Sequence, residues 1–270
     1  MKLTDFITVV ENFAPLCLAA CWDNSGMQVA TSRTEVSHVA VMLDPTPASI
    51  AKALEIQADF ILSHHPLSMK PVYPAEQGNY FTVLSSLIKK DTGLYSAHTT
   101  LDSNMAGPVS WLGKKLGLVN MQVLEQSENL PAPDANPRQF GFGFHGRLPN
   151  TLGYTEFTKL LSEKSGKSDW VTCGKLPETV RTVACCPGSG GSMIHLAEKC
   201  GADIFITGDI KYHSALESNI RVIDIGHFQL EEEMMKFFTQ ELLAEIDKMM
   251  LPKIKISFIP AVDPLKLEQI

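Results

Sequence analysis

Short apolar runs alternate along this chain with segments whose apolar residues recur every three or four positions. The runs at 38–43, 58–63, 94–97, 182–186, 203–207, 222–226 and 255–259 are too brief for stable helices and predict buried strands. Between them, Leu3, Phe6, Ile7, Val10 and Phe13 mark an amphipathic first helix. Ile50, Ala53, Leu54 and Ile56 mark a second over 48–56. Further helices are expected over 80–90, near 107–116, near 154–163, up to Cys200, up to Glu217 and in a long stretch after His227. The cluster from Trp22 to Gly26 reads as a turn, and residues 125–139, polar and without periodicity, read as a linker. The alternation predicts the α/β class. Two domains are expected, 1–124 and 125–227, with the segment from about 228 to 270 packing back on the first.

The two halves repeat one another. Residues 39–65 and 183–209 align without a gap, pairing Val39-Ala40 with Val183-Ala184, Ile50 with Ile194, Ala53 with Ala197 and Ala58-Asp59 with Ala202-Asp203. Further on, one strand ends in His98 and another in His227, and four residues beyond stand Asp102 and Glu231. The expected architecture is therefore an internal duplication: two related α/β halves, each a mixed sheet flanked by helices, with a metal site in the cleft between them.

Chemistry gathers at the strand ends. The run from Ala58 to Ser63 stops at His64-His65-Pro66, and open α/β sheets bind ligands where strands end. Imidazole is the commonest metal ligand among side chains. His227 and Glu231 lie one turn apart on a helix, so one imidazole and one carboxylate share a face. The bland alternative is a helix-capping His227 and a solvated Glu231. His98 and Asp102 repeat the spacing. Adjacent His64 and His65 point apart on an extended backbone, which suits two ions better than one. Mixed imidazole and carboxylate donors favour zinc, iron, manganese or a neighbour in that row. Asp209 aligns with His65 in the repeat, and His213 lies one turn beyond it, which makes both candidate cleft residues. Gly188-Ser189-Gly190-Gly191 is either an anion-holding loop or a packing turn. It matches neither the P-loop nor the dinucleotide pattern.

Composition narrows the function classes. The net charge of −7 argues against a nucleic-acid or anionic-membrane surface, while a small anionic substrate stays compatible with a metal site. The six cysteines form no C-x-x-C pair and no disulfide framework, and Cys185-Cys186 falls in an apolar run, as expected for reduced core in the cytoplasm. Leu18-Ala19-Ala20-Cys21 looks like a lipoprotein cleavage box, but Asp5, Glu11, Asn12 and Pro15 interrupt the apolar stretch that a signal segment needs.

Trp22-Asp23-Asn24-Ser25-Gly26, Ser63-His64-His65-Pro66, His98-Thr99-Thr100-Leu101-Asp102, Gly208-Asp209-Ile210-Lys211-Tyr212-His213, and Gly226-His227 with Glu231 follow one another across nearly the whole chain. In this the sequence resembles the NGG-interacting-factor-three-like family, also called GTP cyclohydrolase I type 2-like. The resemblance implies two divalent metal ions per chain, with ligands falling on His64, His65, Asp102, His227 and Glu231, and places His98 beside them as a general base or as support behind the ligands. It also implies a toroidal homohexamer. Ser68-Met69 departs from the bulky aliphatic–Phe pair that the family carries after His-His-Pro-Leu. The expected function is metal-dependent hydrolysis of a small molecule. The alternative is a non-catalytic metal-binding protein acting through protein partners.

Overall fold

The computed structural model describes residues 1–266 and 268. In chain order they form α1 (Leu3–Phe13), β1 (Gly26–Val29), β2 (His38–Met42), α2 (Pro47–Glu55), β3 (Phe60–Ser63), α3 (Asn79–Lys90), β4 (Gly93–Ser96) and the single turn α4 (Thr99–Asp102). There follow α5 (Trp111–Leu116), β5 (Val119–Gln126), β6 (Gly141–Gly153), α6 (Tyr154–Ser165), β7 (Val171–Cys173), β8 (Thr179–Ser189), α7 (Ile194–Lys199), β9 (Ile204–Gly208), α8 (Tyr212–Glu217), β10 (Arg221–Asp224), α9 (His227–Lys248) and β11 (Lys255–Phe258). Two compact units result: Met1–Leu101 with Met235–Ile270, and Asp102–Met234. The sequence reading divides the chain after residue 124 and near residue 228.

In the first unit the strand order is β1-β4-β3-β2-β11, with β1 antiparallel at one edge and the other strands parallel. Every residue of β2 and β3 is buried, as parallel strands covered on both faces require. Ala40, Met42 and Ile61 pack on one face with Ile50 and Ala53 of α2 and Val83 and Leu87 of α3. The alternate residue Phe60 meets Phe6 of α1 edge to face, with ring centroids 5.9 Å apart. Burying side chains of this size stabilises by about 1.5–3 kcal/mol each. Thr46 and Ser49 cap α2 reciprocally, and Pro47 opens it with a preset φ.

The second unit carries the order β5-β6-β8-β9-β10-β7. β8, β9 and β10 are parallel, while β7, β6 and β5 are antiparallel to their neighbours. Ala184, Cys186, Phe205 and Val222 pack with Met193, Ile194 and Ala197 around α7. Trp111 of α5 is fully buried, and its indole N–H donates to the Leu230 carbonyl at 2.9 Å.

The duplication extends to register. Val39, Ala40 and Val41 stand opposite Phe60, Ile61 and Leu62, and Val183, Ala184 and Cys185 stand opposite Ile204, Phe205 and Ile206, the same pairs shifted by one constant offset. Asp59 Oδ2 accepts from the backbone N–H of Ser37 at 2.9 Å, and its carboxylate also accepts from that of His38. Asp203 Oδ2 accepts from the equivalent Arg181 and Thr182, both at 2.8 Å. In each unit a third parallel strand follows, flanked by an antiparallel edge strand: β4 with β1, and β10 with β7.

Two readings change, and one stretch that had no assignment gains one. Gly26, assigned to a turn, opens β1. Glu125 and Gln126, assigned to the linker, end β5, because a strand with one solvated face needs few apolar residues. Residues 141–149 belong to β6. Among the described residues no helix is long and apolar enough to cross a membrane.

Candidate functional site

In the first unit the carboxyl ends of β2, β3 and β4 deliver Asp44, His64-His65 and His98. His64 and His65 lie on a bend rather than on extended chain. The alternation that would send them apart therefore lapses, and their ring centroids lie 4.9 Å apart. His98 joins them at 5.2 and 5.5 Å. One donor nitrogen from each of the three rings lies within 4.8 Å of the others.

Each ring is held from behind. His64 Nδ1 donates to the Ala97 carbonyl at 2.8 Å, His65 Nδ1 to Asp44 Oδ1 at 2.7 Å, and His98 Nδ1 to Asp23 Oδ1 at 2.6 Å. A carbonyl or carboxylate can only accept, so Nδ1 carries the hydrogen and Nε2 is set as the atom that can bind a cation. Asp23 is itself fixed by Ser25 and by the backbone and hydroxyl of Thr99. Burial opposes its charge, yet the hydrogen bonds from His98, Ser25 and Thr99 outweigh burial and hold its carboxyl well below the usual range.

The second unit builds a related group at the carboxyl ends of β8, β9 and β10. His227 Nδ1 donates to Asp209 Oδ2 at 2.7 Å, and Nε2 lies 2.8 Å from Glu231 Oε2 one helical turn on. The hydrogen bond with Glu231 raises His227 to about 9; burial opposes it, and the charges of Glu231 and Asp209 add to it. Gly208 permits the close approach of the His227 backbone, since a Cβ there would collide with His227 N and Cα. Gly188, at φ +71°, leaves room for the Glu231 carboxylate in the same way. Asp102 ends α4. Burial first, then the negative charges of Asp102, Glu231 and Glu125, pushes the Cys186 thiol up, so Asp102 and Glu231 act on the same buried sulfur.

Six of the sequence-predicted residues thus fall into two groups. His64, His65 and His98 assemble in one unit, and His227, Glu231 and Asp209 in the other. His213 does not join them among the described residues: its ring is exposed on α8 and packs edge to face with Tyr212, centroids 5.4 Å apart. The glycine turn reads as packing, because Gly190 N–H donates to Thr207 Oγ1 at 2.9 Å and a Cβ at Gly190 would strike Cys186. Sequence reasoning missed Asp23 and Asp44 as orienting residues. Asp23 stood in the Trp-Asp-Asn-Ser-Gly cluster, and Asp44 at the end of an apolar run like the one that ends in His64.

The donor chemistry suits a divalent transition ion: imidazoles with fixed tautomers, two of them backed by carboxylates in the first unit and one in the second, beside a carboxylate donor. The fold and these groups define an α/β protein of two mixed-sheet units whose strand ends carry His and Glu side chains able to hold a metal. The profile of the Duf34/NIF3 (NGG1p interacting factor 3) family matches residues 1–264, and the chain belongs to that family. It is 32% identical over 251 residues to the GTP cyclohydrolase 1 type 2 homolog of Clostridium perfringens, covering 92% of this chain and 93% of that one. NIF3-like protein 1 of Drosophila melanogaster is 27% identical over 255 residues, which is 92% of this chain and 84% of that one. The solved structure of a Bacillus cereus protein related to NIF3 superposes with a TM-score of 0.87 over 99% of both chains; at 21% identity this is a likeness of fold.

Proposed function

We propose that the protein binds two divalent metal ions, of zinc, iron, manganese or a neighbouring metal, through His64, His65, Asp102, His227 and Glu231. We propose further that it is a metal-dependent hydrolase of a small molecule, a nucleotide or related heterocycle. One observation carries the reading: His64, His65 and His227 all have Nδ1 held by an acceptor, which turns Nε2 of each proposed ligand ring towards a cation. Such backing is what metal-ligating histidines have, and in the first unit the rings so held stand together at strand ends. A bound divalent ion supplies a water acidified towards neutrality and a positive charge for an anionic substrate. The chain's own part is positional. Asp44 and Asp209 fix two of the rings, and His98, steadied by Asp23, is placed to hold or move a proton at Nε2. The cyclohydrolase name of the Clostridium perfringens relative points to opening of a purine-type ring. Phosphoester or amide hydrolysis would use the same groups. The toroidal homohexamer and the cytoplasmic location go with this reading.

Metal analysis of protein purified without added metal tests the binding half, with close to two ions per chain expected. A metal-free wild type, or a His64→Ala/Glu231→Ala variant with unchanged metal content, overturns it. Turnover of nucleotides, phosphodiesters and cyclic amides by the metal-loaded protein, compared with the same variant, tests the hydrolytic half. Metal without turnover leaves a metal-binding protein that acts through partners. Light scattering tests the hexamer.

A further inference from the structure

We propose that Trp22 is a recognition residue on which a planar heteroaromatic substrate stacks. This rests on the small-molecule reading above and adds the residue that would recognise the substrate's ring. Trp22 is 60% exposed, a costly state for the largest apolar side chain unless something covers it in use. Its indole stands edge to face with the His98 ring, centroids 6.0 Å apart and planes at 75°. His98 in turn belongs to the group of three imidazoles able to hold a metal. Trp22 thus sets a large exposed aromatic ring directly against that group.

The loop beneath it is fixed. Ala20 N–H donates to Thr99 Oγ1 at 3.0 Å, Asp23 N–H to the Ala20 carbonyl at 2.9 Å, and Asp23 binds His98, Thr99 and Ser25. Asn24, next in the chain, donates to the Ser68 carbonyl at 2.7 Å and so ties this loop to the segment that follows His64-His65-Pro66. An indole carried on a hydrogen-bonded loop is preorganised for stacking, because little backbone freedom is lost when a ring lies on it. An aromatic face accepts any flat π-system, whereas a ribose phosphate or an aliphatic amide brings no heteroaromatic ring to stack on it.

Calorimetric titration of the metal-loaded full chain with guanosine 5′-monophosphate and with ribose 5-phosphate tests this. Wild type is expected to bind the nucleotide more tightly than the sugar phosphate. Trp22→Ala and Trp22→Leu are expected to weaken nucleotide binding by about 5- to 150-fold, and to leave sugar-phosphate binding and metal content unchanged. Trp22→Phe should restore most of the nucleotide affinity, an outcome that simple space filling would give to Leu as well. Equal nucleotide affinity in wild type and Trp22→Leu overturns the proposal, as does a wild type that does not prefer the nucleotide. A variant with altered mass in light scattering and unaltered nucleotide affinity makes Trp22 an assembly contact and also overturns it. Trp22-dependent binding without hydrolysis supports this inference while the hydrolase reading fails. Hydrolysis that is indifferent to Trp22 does the reverse.

Discussion

Asp23 accepts a hydrogen bond from His98 Nδ1 at 2.6 Å with its own side chain fully buried. The carboxylate also receives Ser25 and Thr99, so removing its charge strands several donors at once. Asp23→Asn is expected to cost roughly 3 kcal/mol of stability and to lower metal affinity by about 10- to 100-fold. The pH dependence has a definite sign. The folded carboxyl lies below its unfolded value, so its contribution is present above about pH 4 and is lost as the pH falls through the folded value. Urea unfolding at pH 7 and pH 3 should show a smaller difference for Asp23→Asn than for wild type. An equal difference refutes this.

The paired clamps of Asp59 and Asp203 predict a matched pair of defects. Each carboxylate holds two consecutive backbone N–H groups where the parallel pairing of its unit begins. Asp59→Ala and Asp203→Ala should each lose about 1–3 kcal/mol in denaturant titrations. Amide exchange should quicken at Ser37 and His38 in the first variant and at Arg181 and Thr182 in the second. Unchanged exchange at those amides would show that the clamp carries no weight.

Gly208→Ala is expected to damage the second unit's donor group through the backbone. Its Cβ meets His227 N and Cα, which cannot swing aside as the end of a flexible side chain could. The strain should cost at least about 1–3 kcal/mol and lower metal content together with stability. Gly153→Ala is the control, since nothing lies within 4 Å of its Cβ position. Equal behaviour of the two variants would refute the account.

How far the sequence disclosed this arrangement depends on the range of each interaction. β2, β3, β8 and β9 were legible because strands buried on both faces are written as unbroken apolar runs such as Val39-Ala40-Val41-Met42. β1, β5 and β6 were not. In β5 only Val123 is buried, and β6 opens on Gly141 and Gly143, so neither shows a clean apolar signal. The histidines stood out because they interrupt apolar runs at strand ends. Their orienting carboxylates did not, because His65 and Asp44 are 21 residues apart and His98 and Asp23 are 75 apart, contacts that only the folded sheet creates. Asp209 was found through the repeat, since it occupies the place of His65.

His38 gives the last prediction, on acid sensitivity away from the donor groups. It begins β2, is nearly buried, and lies 2.9 Å from Ser257 Oγ of β11 through Nε2. Burial, with the positive charge of Lys255, lowers its pKa from the ordinary histidine value, and Asp59 only partly opposes them. A histidine whose folded pKa is depressed is neutral in both states above about pH 6.5 and costs nothing there. Below that, the unfolded chain takes up the proton more readily, so stability falls with pH until the folded value is passed. His38→Gln keeps an amide within reach of Ser257 and removes the titration. In chelator, where metal release cannot contribute, wild type should lose more stability than His38→Gln between pH 7.5 and pH 5.5. Parallel losses in the two proteins would place the acid sensitivity elsewhere.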